Sequence, residues 1–121
     1  DSFTSAVGSN SNTGLTPAQP KLTITAVTTL LTVGDTIYVD AGTFTETVVI
    51  DTNTIWLIGK DSVSTTIDPP GNRAVANLHG IYVSNRSGIA IRNVRVTDAY
   101  SGVYFSGVTA SLKFPRFLNS K

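Results

Sequence analysis

The chain has no cysteine among its 121 residues, which excludes a disulfide framework and a thiolate zinc site. Charge is scarce too. Asp, Glu, Lys and Arg make up 14% of the sequence against 40% apolar residues. With threonine abundant, that balance suits a β-rich extracellular protein better than a helical cytosolic one. No run of 18 apolar residues occurs, and no basic segment followed by an apolar one opens the chain. Neither a membrane-spanning helix nor a leader is therefore expected. The chain starts at Asp1 without Met, and the expectation is a soluble chain, processed or a fragment. Its length allows one modest core and is small for a deep catalytic cleft.

The charges present are unevenly placed. Residues 1–70 hold Asp1, Asp35, Asp40, Glu46, Asp51, Asp61 and Asp68 against Lys21 and Lys60, whereas residues 71–121 hold Asp98 against seven Lys and Arg. Such a division can mark an anion-binding surface, but the more ordinary reading is a set of solvated faces. The basic residues are not clustered with exposed aromatics in a recognised module, so no nucleic-acid partner is expected.

Residues 1–20, DSFTSAVGSNSNTGLTPAQP, are rich in Ser, Thr, Asn, Gly and Pro and read as an N-terminal loop. Over residues 21–33 the apolar positions fit alternation and helical spacing about equally, and threonines weaken helix propensity. A short helix over about Thr25 to Leu31, closed by Gly34, is the expectation, acting as a cap on the strands C-terminal to it. From Gly34 the pattern becomes short strands: Ile37–Val39, Val48–Ile50, Ile55–Ile58, Thr66–Ile67, Ile81–Val83, Ile89–Ile91, Val94–Val96 and Val103–Phe105.

The triplet IYV at Ile37 returns at Ile81, 44 residues on, and VYF comes at Val103 after a further 22. A period of 20 to 25 residues with β-branched strands and Gly/Asn corners is what a parallel β-helix requires, because each coil buries its inward side chains only against neighbouring coils. A sandwich or jelly roll would show similar strands and turns but would not return such a triplet at one period. The fold expected is all-β, a right-handed parallel β-helix of about three to four coils over residues 34–107, with residues 108–121 irregular. In that register Ile37, Ile81 and Val103 stack, Val39, Val83 and Phe105 stack beside them, and Tyr38, Tyr82 and Tyr104 form an outer column. That column serves first as a cross-strand ladder and second as a sugar-stacking platform. The run IWLI begins at Ile55 and does not fit the register, so corner lengths must vary.

SNSNTGLTPAQPKLTI, then GDTIYVDAGTFTETVVI and IWLIGKDSVSTTID, resemble the N-terminal end of right-handed parallel β-helix proteins of the pectate-lyase-like superfamily, typically secreted or surface proteins of bacteria. The resemblance spans about Ser9 to Gly107, and SGIAIRNVRVTDAYSGVYFSG is similar to later rungs. It implies a secreted or cell-surface location and contact with polysaccharide. Its members include polysaccharide lyases, glycoside hydrolases and proteins without catalysis, and no catalytic motif of theirs matches here. The function expected is a scaffold or binding segment contacting carbohydrate or a partner. The alternatives are the N-terminal part of a polysaccharide lyase or glycoside hydrolase, and a structural subunit that stacks end to end through open coil ends. Pro115 between two phenylalanines argues against a further regular rung.

Lyase-like chemistry needs calcium-binding carboxylates and a nearby Lys or Arg as base. The residues of that type here are Asp68, Asp98, Arg92 and Arg95. Both arginines are expected to face solvent, with a surface ion pair to Asp98 as the ordinary reading. No second carboxylate lies at adjacent spacing, so no cofactor is expected, calcium being the one candidate. Arg92, Arg95, Asp98, Tyr82 and Tyr104 are the ligand-binding candidates. The only histidine, His79, reads as a corner residue making a backbone hydrogen bond. The Asn85-Arg86-Ser87 sequon would accept a glycan only in a eukaryotic secretory route, and the Thr-x-Thr pairs at Thr43 to Thr47 and Thr52 to Thr54 do not recur as an ice-binding face needs.

Overall fold

The computed structural model describes residues 1–113 and 116–118. It is strand-rich, with parallel pairing throughout its three sheets. Sheet A contains β1 (Ser2–Thr4), β2 (Thr36–Val39), β5 (Trp56–Gly59), β8 (Ile89–Arg92) and β11 (Ala110–Lys113) in that order. Sheet B runs β3 (Gly42–Phe44), β6 (Thr65–Ile67), β9 (Arg95–Thr97) and β12 (Arg116–Leu118). Sheet C runs β4 (Val48–Ile50), β7 (His79–Ser84) and β10 (Ser101–Ser106). From β2 onward the chain visits A, B and C in rotation, and each strand pairs with the one laid down a circuit earlier.

The strands form where β-branched residues alternate with polar or aromatic ones. In β2, Ile37 and Val39 are buried and Tyr38 is exposed; in β4, Val48 and Ile50 are buried around an exposed Val49. The inward residues of all three sheets join in one cluster that includes Ile37, Phe44, Ile50, Leu57, Ile67, Ile81, Ile91 and Val96. At the bend after β5 the backbones approach so closely that a Cβ on Gly59 would lie 2.1 Å from the Asn93 carbonyl oxygen. Only glycine fits there.

Each strand expected from the sequence has a counterpart, but the register between them differs. Ile37 pairs with Leu57 in sheet A, whereas Ile81 pairs with Val48 and Val103 in sheet C. The stack of Ile37 on Ile81 and Val103 therefore does not form, and IWLI is the next layer over Ile37. The cause is an 11-residue excursion, residues 68–78, between β6 and β7. Its counterpart in the next circuit is only residues 98–100, and together with a longer bend after β5 (60–64, against 93–94 after β8) it separates the paired residues 48 and 81 by 33 positions where 81 and 103 are separated by 22. The two IYV triplets coincide in phase by accident of this insertion. Phe105, expected inside beside Val83, is 36% exposed because β10 is the edge strand of sheet C.

Two further expectations are corrected. Residues 1–20 are not all loop: Ser2–Thr4 form β1 in register with Ile37–Val39, drawn in by Phe3, whose ring stacks on Tyr38 at 5.3 Å. The segment 108–121 is not irregular throughout, since β11 continues sheet A on β8 and β12 continues sheet B on β9. Pro115 lies outside the described residues.

The N-terminal segment is organised around Lys21. Its buried ammonium donates to the carbonyls of Asn10, at 3.1 Å, and Asn12, at 2.6 Å. One short helical element, α1 (Ile24–Thr28), comes next, with Thr23 Oγ1 accepting from the Ala26 N–H. The Glu46 carboxylate accepts from the Ile24 and Thr25 N–H groups at 3.0 and 2.6 Å, meeting the free donors of a first turn. The element is shorter than the span to Leu31 expected. The hydroxyls of Thr28 and Thr29 bond back to the carbonyls of Thr25 and Ala26, a competition that weakens threonine-rich helices. Ile24 and Val27 enter the core, and α1 packs on β4 and β1.

Candidate binding groove

Corresponding triplets from three successive strands of sheet A and the bends after them line one groove: Phe3-Thr4-Ser5, Tyr38-Val39-Asp40 and Ile58-Gly59-Lys60. Val7, Pro17 and Pro20 complete it, and the cavity measures about 440 Å³. Parallel register puts Phe3, Tyr38 and Ile58 side by side on the outer face. The Phe3 and Tyr38 rings stack with their planes 16° apart. Asp40 and Lys60 face each other at 4.0 Å on the rim, both more than half exposed, so their ion pair contributes little to stability. Thr4 is 2% exposed, and its Oγ1 has no hydrogen-bond partner. A buried hydroxyl in that state costs free energy unless something meets it.

Beyond Ile58 the outward column continues in register through Arg92 and Lys113. The Arg92 guanidinium lies over the ring of Trp56, 4.8 Å from its centroid, a cation–π contact at a partly exposed site. Trp56 is the single tryptophan of the chain and is 43% exposed. A second concavity of about 290 Å³ lies between Trp56, Arg92, Ala90 and Ser111.

The five residues proposed from the sequence fall on three different faces. Arg92 belongs to sheet A. Arg95 belongs to sheet B, where its Nε donates to Thr66 Oγ1 at 2.9 Å, and the bend at Asn93, with φ 57°, separates the two. Both arginines stand partly exposed at outward positions of their strands, as expected, and each is engaged there, Arg92 on Trp56 and Arg95 on Thr66. Tyr82 and Tyr104 belong to sheet C and stack 5.4 Å apart with planes 3° apart. Tyr38, expected above them, is in sheet A. His79 packs against Tyr82 at 5.4 Å and Tyr104 at 4.7 Å. Its ring is part of the ladder, and Nδ1 has no hydrogen-bond partner in place of the backbone bond expected. Rings stacked this way from strand to strand turn their edges to solvent, the geometry of a cross-strand ladder.

Asp98 comes just after β9 as Asp68 comes just after β6, so the pairing of Ile67 with Val96 brings these carboxylates near each other. The Asp68 carboxyl is raised above its ordinary value of 3.8, by burial first and by the negative charge of Asp98 second. The sequence spacing concealed this second carboxylate. Among the described residues no group of three or more His, Cys, Asp or Glu is placed to hold a metal ion.

Sequence reasoning did not single out Phe3, Thr4, Trp56 or Lys60. The available signal was Phe between two short polar residues at the start, and Trp at the outward position of IWLI. No family model matches the chain, and no curated protein or solved structure is significantly similar to it.

Proposed function

We propose that the chain forms part of a right-handed parallel β-helix of the pectate-lyase-like kind and serves, secreted or at a cell surface, as a scaffold that contacts carbohydrate through the sheet A groove. The rotation of strands through three parallel sheets, with layers from β2 onward 20 to 23 residues apart except across the circuit that holds residues 68–78, supports the β-helix reading. Burial of Ile24 and Val27 against β4 and β1 supports α1 as its N-terminal cap. The observation that carries the binding reading is the cavity of about 440 Å³ lined by Phe3 and Tyr38, with Trp56 exposed on the same outer face of sheet A outside that cavity. Because Phe3 and Tyr38 stack on each other, they offer ring edges to the cavity, apolar surface against which the C–H face of a pyranose packs, while a few polar groups at the rim set orientation. Asp40, Lys60 and Arg92 are those groups here. The role proposed is binding, with Asp40 and Lys60 as exposed orienting groups at the rim.

Trp56 makes the test direct. Titrating the chain with neutral and acidic polysaccharides should shift or quench its emission with at least one of them, and Arg92→Ala should weaken the response to acidic chains. Silence across the panel would sink the reading.

A second reading, stacking of copies, draws on Phe105 and Phe117. These occupy inward register positions opposite Val83 and Val96 yet are 36% and 43% exposed. With α1 and β1 over the other end, copies would meet through β10, β11 and β12. An increase of particle size with concentration is its signature.

A further inference from the structure

We propose that the peptide bond between Asp68 and Pro69 is a self-cleavage site, at which the Asp68 side chain attacks its own main-chain carbonyl in mild acid and divides the chain between layers of the fold. The reaction is independent of what the groove binds. Pro69 follows Asp68 at the exit of β6. The nitrogen of that bond belongs to a tertiary amide, which is protonated more readily than a secondary one and so leaves more readily. The Asp68 carboxyl reaches the carbonyl carbon through a five-membered ring, with the advantage of an intramolecular nucleophile.

The fold holds this bond between a fixed strand and a second carboxylate. The Asp68 N–H donates to the Phe44 carbonyl at 2.9 Å, and a residue before proline favours extended backbone, so Asp68 continues the sheet B ladder. Pro69 is buried and Asp68 half-buried. Carried two residues on, the pairing of Ile67 with Val96 sets Asp98 opposite Pro69. Burial first and the Asp98 charge second keep the Asp68 carboxyl neutral above its ordinary value of 3.8. Of the other charged groups on the flanking elements, Arg95 is engaged by Thr66 and Glu46 by the Ile24 and Thr25 N–H groups. Arg73 lies further along the excursion.

In the neutral form the step balances without any co-reactant but water. A side-chain oxygen of Asp68 bonds to the Asp68 carbonyl carbon, the carbon–nitrogen bond breaks, and the carboxyl proton goes to the Pro69 nitrogen. Water then opens the cyclic anhydride, leaving two carboxyl groups on Asp68 and a free amine on Pro69. The first piece holds β1 to β6 and the second β7 to β12. They remain paired through β4 with β7, β5 with β8 and β6 with β9, so the cut is read in denaturant.

The test incubates the full chain across a pH series, folded and in parallel unfolded in urea, and follows fragments by mass spectrometry under denaturing conditions. At pH values above 3.8 where β-type circular dichroism is retained, pieces of residues 1–68 and 69–121 should form faster from the folded chain. The ratio of folded to unfolded rates should rise with pH, because the folded carboxyl stays neutral where the unfolded one ionises. Asp98→Asn should lower that ratio, and Asp68→Asn should form neither piece. A ratio of one or less throughout would reduce the cut to the lability of the dipeptide and overturn the site. A ratio unmoved in Asp98→Asn, or fragments from Asp68→Asn, would overturn it equally.

Discussion

At the scale of single residues, Asp68 gives the clearest link between position and stability. Its carboxyl is raised above 3.8, by burial first and by Asp98 second, so the folded protein holds the neutral acid more readily than the unfolded chain does. Asp68 is therefore least unfavourable below 3.8 and becomes a burden as pH rises through its folded value. Asp68→Asn removes that burden. The variant should have a higher urea midpoint than the parent at neutral pH, and the gap should close as pH falls toward and below 3.8. A gap that does not change with pH would show that charge at this position is not what matters. Because Asp68 is only partly buried, solvent screening keeps the effect small.

At the scale of elements, the aromatic ladder of sheet C is a cross-strand device whose contribution can be isolated. Tyr82 and Tyr104 are paired in register and stacked with nearly parallel rings at 5.4 Å, a geometry that contributes about 0.5–1.5 kcal/mol beyond area burial. A double-mutant cycle with Tyr82→Leu and Tyr104→Leu, read from urea unfolding, should return a coupling in that range, and strict additivity would mean the rings only share a face. The ladder also shows what could be read from the sequence. The alternation in IYV and VYF places the strands and the outward tyrosines correctly, because a period of two is local. It cannot assign strands to sheets. The residue 68–78 excursion adds to one circuit a length that no composition signal measures, so the triplet spacing puts Tyr38 in a column it does not join. β1 is hidden because Ser2–Thr4 is too short to alternate visibly and acquires its strand character by pairing with β2. The groove is hidden for the same reason: its residues run from Phe3 to Lys60 and converge only once β1, β2 and β5 are side by side.

At the scale of the whole molecule, the N-terminal segment has two tasks: it lines the groove and it covers the sheet edges. β1 pairs with β2 and is itself bordered by Gly14 and Lys21. Near β3, Ala6 stands close enough to Gly42 that a Cβ there would lie 2.5 Å from its methyl group. α1 packs beside β4. Each sheet thus has a different covering element at this end. An uncovered parallel edge exposes unpaired N–H and C=O groups and invites pairing with another chain. Deleting residues 1–20 would make β2 an edge strand, leave Tyr38 without Phe3, and take away the Asn10 and Asn12 carbonyls that hold the Lys21 ammonium. The deletion variant should run larger than the full chain by light-scattering-coupled chromatography at equal concentration, with its β-type circular dichroism retained and its Trp56 response to polysaccharide lost. Loss of that response without any change in size would mean that the segment builds the groove but does not guard the edge. A variant that keeps both its size and its response would contradict both tasks, since the same residues, Phe3 and the Gly14–Lys21 segment, supply the wall of the one and the border of the other.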